Sequence, residues 1–167
     1  QSGHQITVLS RQPLSFVQAS IDPSVSVISS LEALSTSSHF DAVINLAGEP
    51  IMGHRWSPAY KEKLRQSRIA LTESLVSKIA LLQKKPEVLI SGSAIGIYGD
   101  QGDLILDETF NPSGAMGFSQ SLCLDWENAA RKAEALGVRV CIIRTGLVVG
   151  RAGGFLQRML LPFKLGL

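Results

Sequence analysis

Histidine, cysteine and tyrosine are scarce in this chain, with three, two and two respectively among 167 residues. His4, His39 and His54 stand far apart, and Cys123 and Cys141 have neither metal-ligand nor redox spacing. The sequence therefore offers no metal site, and two free thiols fit a reducing, cytoplasmic setting. Charge of one sign is lacking too. Sixteen Lys and Arg against fourteen Asp and Glu leave a formal charge of +2, with no stripe of interleaved basic and aromatic residues. That balance gives no electrostatic reason to expect nucleic acid or a membrane surface as a partner. No apolar run approaches the roughly 20 residues a membrane-spanning helix needs, because Arg and Lys interrupt the apolar tail. The remaining composition, 45% hydrophobic and 18% charged, is that of one globular domain with a sizeable core.

The most informative stretch is F-D-A-V-I-N-L-A-G-E-P at 40–50. Ala42 to Leu46 is almost uninterrupted in its apolarity, as in a strand buried on both faces of a parallel sheet. It runs into Asn45-Leu46-Ala47-Gly48, where small residues permit close backbone approach to a ligand. Ligands of open α/β sheets bind just outside the carboxyl ends of the strands. An ordinary core strand followed by a Gly turn fits this stretch equally well.

Other strands are expected at Gln5–Ser10, Val25–Ile28, Val88–Ser91 and Val138–Ile143. A turn or short helix is expected near Leu31–Leu34. Pro13 is expected to end any regular pattern after the first strand. Ser57-Pro58 is a helix start, with Ser as the cap and Pro in the first turn, and Leu64, Leu71, Leu75, Ile79 and Leu82 continue it to about Gln83. Lys84-Lys85-Pro86 closes it. A second helix spans about Phe118 to Leu136 and stops at Gly137. A short amphipathic segment follows at Phe155–Phe163. Strands alternating with helices predict an α/β fold of parallel βαβ units.

Three expected strand ends carry residues of the kind a nucleotide site uses: Ser10-Arg11, Leu46-Ala47-Gly48 and Ser91-Gly92-Ser93. A carboxylate after the second strand of a dinucleotide fold holds the ribose of NAD, whereas Arg accommodates the 2′-phosphate of NADP. Ser10-Arg11 has no carboxylate beside it, which favours NADP over NAD. Taken alone, Arg11 also reads as a solvated residue after an edge strand.

N-L-A-G-E-P-I at 45–51, R-W at 55–56, S-R-I-x-x-T at 67–72, L-I-S-G-S-A at 89–94, W-E at 126–127, R-T-G-L-V-V-G at 144–150 and L-P-F-K-L-G-L at 161–167 follow in order. Each is weak alone. In this order and spacing they resemble the NAD-dependent epimerase/dehydratase family of the extended or atypical short-chain dehydrogenase/reductases, in its subgroup of epimerase family proteins. The resemblance implies a Rossmann-like parallel sheet flanked by helices, an NADP(H) cofactor and a small-molecule substrate. Carried over by motif, Ser10 and Arg11 hold the 2′-phosphate end. Leu46 and Ala47 line the adenosine and pyrophosphate path, and Asn45, Gly48 and Ser91 are further cofactor-binding candidates. Arg68 projects a second cation, with Lys63 a further candidate, and Arg144, Thr145, Gly146 and Val148 pass the nicotinamide. Ser93 matches the substrate-positioning Ser, and Tyr98 follows close behind it. For both, an ordinary strand-end Ser and a packed Tyr stand as the alternative readings.

Two departures limit the resemblance. The family's first strand, G-x-x-G-x-x-G turn and helix are not found, and Gln1-Ser2-Gly3-His4 corresponds to the end of that helix. The first residue is Gln rather than Met. The sheet is therefore expected to be incomplete, its Ile6 and Val25 strands unlinked to the rest. That predicts a piece of a longer chain, a partly ordered one, or a homo-oligomer completed by a swapped copy. Cofactor binding by the piece alone is expected to be weak or absent. The Tyr-x-x-x-Lys dyad is also missing: Phe118-Ser119 and Leu122-Cys123 stand where it belongs. Hydride chemistry and a non-catalytic NADP(H)-binding role both remain compatible with these residues.

Overall fold

Short apolar runs pair side by side here because each crossover helix returns the chain in the same direction. A computed structural model describes residues 3–51, 54–114, 116–150 and 153–166, with 153–158 described for backbone alone. The expectations for Gln1 and Ser2, for Leu167 and for the side chains of 155–158 lie outside the described residues. Strands β1 (Thr7–Leu9) and β2 (Ser26–Ile28) pair in parallel across helix α1 (Leu14–Ser20). Strands β3 (Ala42–Asn45), β4 (Val88–Ala94) and β5 (Arg139–Thr145) form a second parallel sheet in that order. Helices α2 (Pro58–Arg65) and α3 (Leu71–Leu81), joined by a π-helical turn at Gln66–Ala70, cross from β3 to β4. Helix α4 (Phe118–Arg131), tightening into a 3₁₀ segment to Leu136, crosses from β4 to β5. A small antiparallel pair, β6 (Val149–Gly150) and β7 (Gly153–Gly154), precedes helix α5 (Phe155–Lys164).

The local causes match the sequence at several points. The Ser57 hydroxyl caps α2 by accepting from the Tyr60 N–H, and Pro58 occupies the first turn. Gly137 ends the α4 region in the left-handed conformation at φ 79°, a geometry glycine adopts without strain. At Pro13 the outcome differs. Rather than ending regular structure, Pro13 stands at the N-terminal boundary of α1, where its fixed φ is compatible with a helix start. Strand β4 runs three residues further than its apolar run, through Gly92-Ser93-Ala94, because β5 pairs with it along that whole length.

The two sheets share no ladder among the described residues, in line with the expected incomplete sheet. The core lies on one face of β3–β4–β5. Val76 and Ile79 of α3, Ala130 and Ala133 of the α4 region, Leu89 and Val138 are buried together, with Val43, Val140 and Ile142 packed against them. The opposite face is open. Ile44 is 63% exposed, and Ile143 and Cys141 are exposed as well. The expectation that β3 is buried on both faces is thus corrected. Its apolar residues point both ways, but helices cover one side of the sheet.

Thr72, buried in α3, joins these layers. Its Oγ1 accepts from Asn45 Nδ2 at 2.8 Å and from the Trp126 indole N–H at 3.1 Å, and donates to the Arg68 carbonyl at 2.6 Å. Valine has the same shape without the hydroxyl. Thr72→Val is expected to lower stability by about 2–4 kcal/mol, since two buried donors lose their acceptor. Urea unfolding measures this, and a loss below 1 kcal/mol would show the hydroxyl to be dispensable.

Candidate functional site

The parallel register of β3, β4 and β5 puts Asn45, Ala94 and Thr145 at one edge of the sheet. The end of β1 meets the same edge, because Arg11 Nη2 lies 3.9 Å from Glu49 Oε2. Arg11 and the segment after β3 therefore lie beside each other at that edge. Gly146 belongs to the same edge, 3.8 Å from Ile95 Cδ1 by its would-be Cβ, with Ile95 directly following β4. Leu46, Ile95, Leu147 and Val148 leave apolar surface exposed there.

Glu49 organises the first part of the edge. Its backbone N–H donates to Ser67 Oγ at 2.9 Å, and its carbonyl accepts from Arg68 Nη2 at 2.9 Å. Its carboxylate accepts from Lys63 Nζ at 2.7 Å and faces Arg11. The Lys63 hydrogen bond holds this carboxyl below its ordinary range, and the charges of Lys63, Arg11 and His54 act in the same direction.

Arg68 does not project from the edge as expected. It is 8% exposed, with its guanidinium 5.4 Å from the Trp126 ring, and burial pulls its pKa down. A Cβ on Gly48 would sit 2.8 Å from Arg68 Cζ. Gly48 is thus glycine because the guanidinium fills the space under the loop. Trp126 imposes the same restriction on Gly92, where a Cβ would stand 3.1 Å from the indole.

A second polar chain crosses the ends of β4 and β5. Ser93 Oγ donates to Glu127 Oε1 at 2.7 Å. Arg144 donates to both oxygens of the same carboxylate, Nε at 2.9 Å and Nη2 at 3.1 Å. Arg144 Nη1 continues to the Tyr98 hydroxyl at 3.3 Å and the Glu108 carbonyl at 3.2 Å, and its guanidinium lies 5.3 Å from the Tyr98 ring. The forked bond to Glu127 drives the Arg144 pKa up. Glu127, 3% exposed, is a buried carboxylate with every visible partner a donor. A cavity of about 350 Å³ opens beside this chain, lined among others by Ile97, Phe110, Asn128, Arg131 and Arg144.

The other expected residues fall into place around these two clusters. Ser10 Oγ accepts from the Gln12 N–H at 3.0 Å. Asn45 turns inward to Thr72 and accepts from the Ala47 N–H at 3.3 Å, which leaves Leu46 exposed. Ser91 is fully buried and its hydroxyl stays local, 3.4 Å from the Gly92 carbonyl. The side chains of Asn45, Arg68, Ser91 and Arg144 are therefore committed to the protein, whereas Arg11, Lys63, Leu46 and Val148 face outward. Phe118-Ser119 and Leu122-Cys123 hold no substitute dyad. Cys123 is buried and packs near Gly96, and burial pushes its thiol pKa up. Sequence reasoning assigned no role to Glu49 or Glu127. Both lie inside quoted motifs, but their partners are up to 38 residues away by sequence: Ser93, Arg144, Arg11 and Lys63 meet them only in the fold. Among the described residues no group of His, Cys, Asp and Glu could hold a metal ion, and no helix is long and apolar enough to cross a membrane.

Parallel βαβ units with polar and small residues gathered at one carboxyl edge define a Rossmann-like α/β protein. The chain belongs to the NAD dependent epimerase/dehydratase family, which it matches over residues 1–166. It is 46% identical over 127 residues to the epimerase family protein Mb2239 of Mycobacterium bovis, covering 76% of this chain and 41% of that protein. The crystal structure of human epimerase family protein SDR39U1 (isoform 2) with NADPH aligns with a TM-score of 0.76 at 30% identity, covering 98% of this chain and 52% of that one. The nucleoside-diphosphate sugar epimerase from Corynebacterium glutamicum aligns with a TM-score of 0.68 at 27% identity, over 97% of this chain and 38% of that one. The chain spans about half the length of these relatives, or less.

Two measurements check this geometry. Glu127→Ala is expected to cost about 3–5 kcal/mol, because it strands a largely buried Arg144, and Glu127→Ala with Arg144→Ala together should cost less than the sum. Additive losses in urea unfolding would show that the pair is not coupled. A thiol reagent at pH 8 is expected to modify exposed Cys141 quickly and Cys123 only after denaturation; equal rates for both thiols would contradict the packing around α4.

Proposed function

We propose that this chain is the dinucleotide-binding part of an NADP(H)-dependent oxidoreductase or epimerase-like enzyme acting on a small molecule. The observation that carries this reading is the meeting of Arg11 and Lys63, from separate elements, at one point of the carboxyl edge. Two exposed cations there suit a phosphate better than the ribose hydroxyls of NAD. The backbone of Ala47-Gly48 and the apolar side chains of Leu46, Leu147 and Val148 suit the flat rings of a dinucleotide. That the human relative was crystallised with NADPH supports the same reading. The pyrophosphate is the part for which the described residues offer no glycine-rich turn, so tight binding is assigned to the whole protein.

When bound, the nicotinamide supplies hydride exchange. The chain's own contribution is positional. Arg11 and Lys63 anchor the phosphate end, and the 144–148 segment borders the nicotinamide end. Glu127, itself held by Arg144, fixes the rotamer of Ser93 through the Ser93 hydroxyl proton. In this reading Ser93, its proton committed to Glu127, accepts from a substrate hydroxyl, and Tyr98 is linked to the same carboxylate through Arg144.

A second reading, a non-catalytic NADP(H)-binding or regulatory protein, is favoured by one observation: Phe118-Ser119 and Leu122-Cys123 stand where the Tyr-x-x-x-Lys pair is expected, and Cys123 is buried. Thermal shift of the full-length protein tests the shared part. NADPH is expected to raise the Tm more than NADH, and Arg11→Ala is expected to remove that difference. No shift with either nucleotide would end both readings. Turnover of any sugar or carbonyl compound in a broad panel would then favour the enzyme over the binding protein.

A further inference from the structure

Glu49 sits between the two cations assigned above to a phosphate, and this position has a consequence for nucleotide choice. Its main chain is pinned on both sides, by Ser67 Oγ at the N–H and by Arg68 Nη2 at the carbonyl, each at 2.9 Å. Arg68 is itself buried under Gly48 and against Trp126. The side chain of Glu49 therefore leaves a fixed base. It reaches Lys63 Nζ at 2.7 Å through one oxygen and Arg11 Nη2 at 3.9 Å through the other. The exposures are unequal. The Glu49 side chain is 14% exposed, against 56% for Lys63 and 90% for Arg11. The anion is the covered member on a pinned backbone, and the cations are the members exposed to an incoming ligand.

An anion placed this way has two effects on a phosphate. It keeps two like charges close together, which would otherwise repel. It also competes for both of them and repels the incoming dianion. Lys63 makes a direct hydrogen bond to Glu49, so that bond must be shared or broken before a phosphate can use the ammonium fully. Arg11, at 3.9 Å, is held by charge alone. Pairing between such exposed groups is weak enough to exchange.

We infer that Glu49 is an internal stand-in for the 2′-phosphate: its carboxylate holds Arg11 and Lys63 when no phosphorylated nucleotide is bound and restrains the preference for NADP(H) over NAD(H). This rests on the dinucleotide reading above. It makes Glu49 a specificity-determining residue that acts through the two cations, without a role at the reacting atoms.

The test compares the binding of NADPH and NADH to the full-length protein and its Glu49→Gln variant, by calorimetric titration at low salt, with 2′-AMP and 5′-AMP as competing probes. Gln keeps the length of the side chain and the backbone bonds to Ser67 and Arg68 but removes the charge. Glu49→Gln is expected to tighten NADPH and 2′-AMP on the order of three- to tenfold, the range of one exposed charge pair. NADH and 5′-AMP should change less than about twofold on the same reasoning. Glu49→Asp is the second arm. It keeps the charge but shortens the reach, and NADPH should tighten by a smaller factor. Unchanged or weaker NADPH binding in both variants, with NADPH still bound by the wild type, overturns the inference alone. Wild-type protein that binds neither nucleotide overturns the dinucleotide reading with it.

Discussion

The indole of Trp126 is the piece on which most of this structure leans. One ring touches Gly92 of the central strand, lies beneath the guanidinium of Arg68, and donates its N–H to Thr72. Each of these contacts restricts something else. Gly92 has no room for a side chain, Arg68 is held away from solvent, and Thr72 is fixed as the acceptor that also receives Asn45. A buried polar group must find a partner or carry a penalty of kilocalories, and here the partners are shared among a strand, two helices and a loop. The carboxyl edge of the sheet is stiff because its supports are satisfied in this interlocking way.

The π turn between α2 and α3 extends that support to the loop after β3. Such turns are rare and often mark functional places in helices. In this one, the adjacent residues Ser67 and Arg68 address the two backbone groups of the same residue, Glu49. Consecutive residues of a regular α-helix point about 100° apart, so this joint grip accompanies the local widening. Glu49 then presents a carboxylate from a fixed platform to cations that are themselves exposed. At the other end of the edge Glu127 does the reverse, a covered anion that locks Arg144 and Ser93 in place. Two carboxylates, one gathering exposed cations and one buried within a satisfied network, divide the edge into a phosphate end and a substrate end in the functional reading proposed here.

Much of the architecture was legible in the amino-acid order because it rests on local rules. Ser57-Pro58 starts a helix, Gly137 stops one, and apolar runs at 42–46, 88–91 and 138–143 form strands, since caps, turns and periodicity act within a few residues. Where reading from the sequence went astray, the cause was likewise physical. The Pro13 ring forbids most regular structure, yet the start of a helix, where Pro13 stands, is the place that tolerates it. Strand β4 outran its apolar residues because pairing with β5, rather than composition, set its length. The β3 run looked buried on both faces because apolar residues alternate to both sides, but burial depends on what packs above them.

Residue types and their spacing by themselves determined the α/β class, the family resemblance, the missing Tyr-x-x-x-Lys pair and which strand ends carry small and polar residues. Those properties are written in short windows of chain. Tertiary structure alone decided that Arg68 turns inward under Gly48, that Arg11 and Lys63 meet at Glu49, and that Ser93 and Arg144 converge on Glu127. Charge pairing and burial are properties of distance in space. Residues tens of positions apart acquire them only after the strands have aligned and the helices have covered one face.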